Sequence, residues 1–102
     1  MDIFFEVQSC LGCRIRISQS HWTFVTERKH LDLSGRADEV QGALIEADLV
    51  RISQEDENVY LYYRKVGKYY VCVVCRHLNG EGFIITAYLT YRAKEGKEVW
   101  IK

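Results

Sequence analysis

Beyond Leu49 the chain breaks into short runs of valine, isoleucine, tyrosine and threonine, interrupted only by glycine, asparagine or clustered charge. Residues 59–65 read VYLYYRK, a turn follows at Gly67, and residues 69–78 read YYVCVVCRHL. NGEG at 79–82 separates that run from FIITAYLTYR at 83–92. β-Branched and aromatic side chains suit a pleated, half-buried surface, and Asn-Gly between two such runs is a strong hairpin signal. This half of the chain is therefore expected to be antiparallel strands. LVRIS at 49–53 and an acidic turn, QEDEN, precede them, and EVWIK at 98–102 follows.

Successive strand side chains point to opposite faces, so each run sorts by a period of two. In 59–64, Tyr60, Tyr62 and Arg64 share a face opposite Val59, Leu61 and Tyr63. In 83–90, Phe83, Ile85, Ala87 and Leu89 form one face, and Ile84, Thr86, Tyr88 and Thr90 form a more polar one.

Earlier, IFFEVQ at 3–8 and CRIRIS at 13–18 read as two strands around a turn at Leu11 and Gly12. Ser18 or Ser20 can cap the helix that follows, which carries Trp22 and Val25 as an apolar stripe and stops near Asp32. A second helix is expected over about 36–46, where Val40, Ala43, Leu44 and Ala47 keep helical spacing and Asp38 and Glu39 suit the N-terminal dipole. The expected fold is α+β in a single domain over 1–102. Two short N-terminal helices pack on one face of an antiparallel sheet of four to six strands.

Lys+Arg and Asp+Glu are both 14, so any contact with a polyanion must be local rather than a broad basic field. No run reaches the length of a membrane span, and the start MDIFFEVQ is acidic and alternating, unlike a signal peptide. The expectation is a cytoplasmic protein with no membrane partner. Four cysteines fall as CLGC (Cys10, Cys13) and CVVC (Cys72, Cys75), the paired spacing of a zinc ribbon. The second pair sits in a strand, however, where residues three apart face opposite ways, so buried reduced thiols are the expectation. Cys75 and His77 alternate onto one face, the only arrangement resembling a thiol–imidazole pair.

The stretch SHWTFVTERKH at 20–30 concentrates acid–base chemistry. On an unbroken helix of ~100° per residue, His21 and His30 lie about 180° apart and cannot serve one site. His21 reads as a surface residue of the first turn. Lys29 and His30, at the helix exit, read either as a solvated basic end or as groups able to reach across the sheet. On the polar sheet face Thr86 and Tyr88 point the same way, with Arg64 and Arg76 on nearby strands. An imidazole, a fixed cation and hydroxyl donors can together cleave a phosphodiester without a metal, and aromatic rings can stack a base.

The ordered segments HWTFVTERKHLDLSGRADEVQGAL, ADLVRISQEDENVYLYYRK, YVCVVCRHLNGEGFIITAYLT and KEGKEVW run between 21 and 100, within a likeness that extends over about 14–100. In this series the chain resembles small bacterial, especially cyanobacterial, proteins of the phage barnase–EndoU–colicin–RelE-like nuclease family. Leu31 stands where members of that family commonly carry proline after KH. The resemblance implies a RelE/barnase-like sheet. It also implies an endoribonuclease using neither metal nor cofactor, in which the ribose 2′-OH attacks the adjacent phosphate. Lys29 and His30 would then supply acid–base or cationic roles, Arg64 would hold the phosphate, and Thr86 and Tyr88 would donate to it or position the nucleotide. The implied partners are messenger or transfer RNA and an antitoxin protein. An exposed final strand offers itself for pairing with a second copy, giving a homodimer. Two other classes stand beside this one: a non-catalytic binding domain on the same fold, favoured by the zero net charge, and a zinc-dependent module built on the four cysteines.

Overall fold

A computed structural model describes residues 2–102. The strands are β1 (Ile3–Gln8), β2 (Arg14–Ser18), β3 (Leu49–Ile52), β4 (Val59–Val66), β5 (Tyr69–Leu78), β6 (Glu81–Thr90) and β7 (Lys97–Ile101). All seven join one sheet in the order β1-β2-β6-β5-β4-β3-β7. The fold is α+β as expected, but the sheet is larger than four to six strands and is not purely antiparallel. β2 runs parallel to β6, with Arg14 opposite Glu81 and Arg16 opposite Phe83. Pairing there lets the N-terminal hairpin close one side of the sheet, with Ile15 and Ile17 buried in the same core as Ile84.

Helix α1 (Gln19–Phe24) is followed by a widened π-type turn at Val25–Lys29 and a 3₁₀ turn at Leu31–Leu33. Of the two candidate caps, Ser18 is the one used, its Oγ accepting the His21 N–H at 3.1 Å. Helix α2 (Ala37–Ile45) buries Val40, Ala43 and Leu44, as its spacing predicts. Its stripe, with Trp22 and Leu33, covers one sheet face: Val50 of β3, Tyr62 of β4, Val71, Val73 and Cys75 of β5, and Ile84 and Ala87 of β6. Among the described residues no helix is long and apolar enough to cross a membrane.

The alternation on β6 departs from a strict period of two. Val74 faces Thr86 but Cys75 faces Ile84, so Ile85 is an extra residue, a β-bulge. After the bulge the expected faces hold: Ala87 and Leu89 pack into the core, and Thr86 and Tyr88 look the other way. Before it they exchange: Ile84 is buried, and Phe83 and Ile85 are 38% and 37% exposed. No side-chain signal marks the bulge in the sequence. The structure also corrects the reading of His21. It is half-buried, and its Nε2 lies 2.7 Å from the Ile85 carbonyl oxygen. A carbonyl only accepts, so Nε2 carries the proton and caps the bulge where β2 ends.

The link from β6 to β7 (91–96) must pass β5, β4 and β3, and it does so across the face away from α2. It is tied down as a strap: the Lys94 N–H donates to the Tyr63 hydroxyl at 2.9 Å, and Arg51 Nη1 donates to the Lys94 carbonyl at 2.9 Å. Beneath it lies a second, smaller apolar cluster of Leu61, Tyr63 and Cys72.

At the hairpin end of the sheet, the Tyr62 hydroxyl donates to buried Ser9 Oγ at 2.9 Å. His77 Nε2 stands 2.9 Å from the same phenol oxygen and therefore donates to it as neutral imidazole. The Tyr60 ring stacks on His77 at 3.7 Å. Burial lowers the His77 pKa from its ordinary value. The unfolded chain then binds more protons, so this contribution to stability is complete above about 6.5 and is lost as pH falls through the folded value. The unfolding midpoint is expected to fall between about pH 7.5 and 5, and His77→Gln to flatten that decline. Superimposable thermal profiles for the two proteins would remove His77 as the cause.

Candidate active-site groove

The sheet face away from α2 carries a groove of about 620 Å³. Its floor is Val59, Leu61, Val74, Thr86 and Tyr88, and its walls are the 53–56 loop and the strap at Lys94 and Glu95. This is the polar face that alternation assigns to Thr86 and Tyr88. Their oxygens are shielded from solvent and have no hydrogen-bond partner. A buried unpaired hydroxyl is costly to the fold and gains when a ligand oxygen supplies the missing bond.

The Tyr88 hydroxyl lies beside the Cys72 thiol and the Tyr63 hydroxyl. Burial, reinforced by Cys72, pushes its pKa far above that of an ordinary phenol. Burial also pushes Tyr63 up to about 12 and Cys72 up to about 11. All three groups stay protonated at neutral pH, so this side of the groove offers donors rather than nucleophiles.

His30 approaches Tyr88 from the β6 edge that β2 leaves bare. Its ring centroid is 5.8 Å from that of Tyr88, tilted at 36°. Local chemistry explains the approach. Thr26 Oγ1 donates back to the Trp22 carbonyl at 3.0 Å, a bond that bends helices, and the next turn widens so that His30 N–H bonds Val25 O at 2.7 Å. The extra residue in that turn breaks the ideal-helix reckoning and swings His30 off the axis, a use typical of π-turns.

One cation lines the groove and a second is bonded to its wall. The Lys94 ammonium stands 5.9 Å from the Tyr88 ring centroid. Arg76, opposite Val59 on the floor, bonds Asp56 Oδ2 through Nη1 at 2.9 Å. Asp56 Oδ1 accepts the Asn58 N–H at 2.9 Å, and that bond, with Arg76 second, holds its carboxyl below the usual range.

Of the five residues singled out in the sequence, Thr86 and Tyr88 lie on the groove floor, and His30 stands beside Tyr88 without lining the groove. Lys29 is exposed, its Nζ 5.5 Å from the Phe24 ring centroid rather than in the groove. Arg64 lies on the opposite sheet face, over Gly42 of α2, and pairs with Glu46 at 3.5 Å. It shares β4 with Leu61 but points away from it, as the alternation of that strand requires. Lys94 and Asp56 carried no sequence signal, because both sit in loops whose course is decided by the sheet order. Arg76 carried one: it alternates with Val74. The cysteines do not form a four-thiol site, since Cys72 lies under the strap while Cys75 is buried in the α2-side core. All four are free thiols, and burial raises the pKa of each.

No family model, curated protein or solved structure matches this chain.

Proposed function

We propose that the protein is a metal-independent endoribonuclease on a RelE/barnase-like fold, acting in this groove, and that it serves as the toxin of a toxin–antitoxin pair. The supporting observation is the approach of the His30 ring to the Tyr88 ring beside a groove whose floor holds the buried hydroxyls of Thr86 and Tyr88, with Lys94 and Arg76 nearby. The imidazole accepts the ribose 2′ proton, and the 2′ oxygen attacks phosphorus. Thr86 and Tyr88 donate to the phosphate oxygens, while Lys94 and Arg76 balance their growing charge. The P–O5′ bond then breaks, leaving a 2′,3′-cyclic phosphate. The departing 5′ oxygen takes a proton from Tyr88, and the imidazolium restores it. Arg76, not Arg64, holds the phosphate in this scheme.

The acidic wall of Glu55, Asp56 and Glu95 favours a second reading, a binding domain without catalysis. Incubation with single-stranded RNA and transfer RNA in EDTA separates the two. Cleavage to cyclic-phosphate ends, together with growth arrest on induced expression, is the expected result. RNA left intact, with ribosomes also present, and normal growth would exclude the nuclease.

A further inference from the structure

We propose that the row Arg16, Phe83, Arg76, next to the groove on the same sheet face, binds a flanking nucleotide of single-stranded RNA with its base stacked on Phe83. The inference rests on the reading of RNA as substrate and adds where the strand runs beyond the reacting phosphate.

Register builds the row. Arg16 of β2 is opposite Phe83 in the parallel pair, and Arg76 of β5 is opposite Phe83 in the antiparallel pair. The phenyl ring thus has a guanidinium-bearing residue on each side. It faces outward because the bulge at Ile85 turns Ile84 in and leaves Phe83 exposed. Beside it a cavity of about 320 Å³ opens where β2 leaves β6, bounded by Arg16, Ser18, His21, Phe83 and Ile85. The polar atoms at its rim are already engaged: Ser18 Oγ caps α1, and His21 Nε2 holds the Ile85 carbonyl. The cavity therefore presents an apolar slot, with Arg16 the arginine at its rim.

An aromatic face between two cations suits a planar base carried on an anionic backbone. An apolar peptide side chain would meet the ring but make no use of the two flanking guanidiniums. Arg16 is paired with Glu81 at 3.4 Å and Arg76 with Asp56 at 2.9 Å. Both pairs reach solvent, where such pairs are weak, and neither carboxylate covers the phenyl ring's role as platform. Arg76 belongs to the row and bonds Asp56 of the groove wall, so a strand on the row leads towards the site of cleavage.

The test uses the whole chain and a fluorescent 2′-O-methyl octanucleotide, which binds but cannot be cleaved for want of a free 2′-OH. Phe83→Ala is expected to weaken binding roughly tenfold, and Phe83→Trp to keep it within about twofold of wild type. Arg16→Gln is expected to lower the slope of log affinity against log salt by about 0.7. Unfolding midpoints of the variants are compared with wild type, since Phe83 is exposed and its replacement leaves the core intact. If wild type cleaves RNA and Phe83→Ala binds the octamer as tightly, the subsite falls and the nuclease stands. If wild type neither binds nor cleaves RNA, the functional reading falls and this inference with it.

Discussion

His30→Gln is expected to reduce RNA cleavage by about 10²–10⁴-fold, the range for removing a positioned acid–base group. Glutamine keeps a polar side chain of similar reach but cannot take a proton near neutral pH. The His30 ring lies beside Tyr88, and none of its contacts ties an element of the core, so the variant should fold and melt like wild type. Affinity for the uncleavable octamer should also stay close to wild type, because the imidazole acts on the 2′ proton. The informative measurement is kcat/KM beside octamer affinity, the first falling while the second holds. Unchanged cleavage by His30→Gln would remove the groove from the chemistry, whatever other variants do.

Leu44→Ala is expected to cost about 2–5 kcal/mol, the range for emptying a fully buried leucine site. Leu44 has no exposed surface and anchors α2 on the sheet, while its carbonyl accepts the Cys10 N–H at 2.9 Å and ties in the β1–β2 turn. A domain of this size has on the order of 5–15 kcal/mol in total, so the midpoint should drop by roughly 10–25 °C. Urea unfolding gives the free energy and thermal unfolding the midpoint. Because α2 lies on the face opposite the groove, cleavage well below the new midpoint should follow the folded fraction alone. A loss below about 1 kcal/mol would mean the site collapses around the missing methyls, against the close packing of α2 on β4 and β5.

Much of this molecule was legible along the chain because it depends on near neighbours. A serine before a helix offers its oxygen to the first turn, and Ser18 does so. Val40, Ala43 and Leu44 share a helical stripe, and that stripe is the one buried. Gly67 and Gly80 both take positive φ, 63° and 85°, at the turns where strands were expected to end. The pairing of Thr86 with Tyr88 on one face also followed from alternation alone. Arg64 did too, read strictly: its own strand places it opposite Leu61, and Leu61 is on the groove floor. Only knowing which face holds the groove shows that Arg64 is excluded from it.

Side-chain chemistry and local spacing determined the strands, the turns, the two helices and the shared face of Thr86 and Tyr88. The tertiary structure decided the rest. Strand order sent the 91–96 link across the sheet and delivered Lys94 to the groove. A bulge beside the parallel pairing of β2 with β6 exposes Phe83, and a widened helical turn brought His30 to Tyr88. Each of these depends on contacts between residues far apart in the chain, whose energies no local pattern encodes.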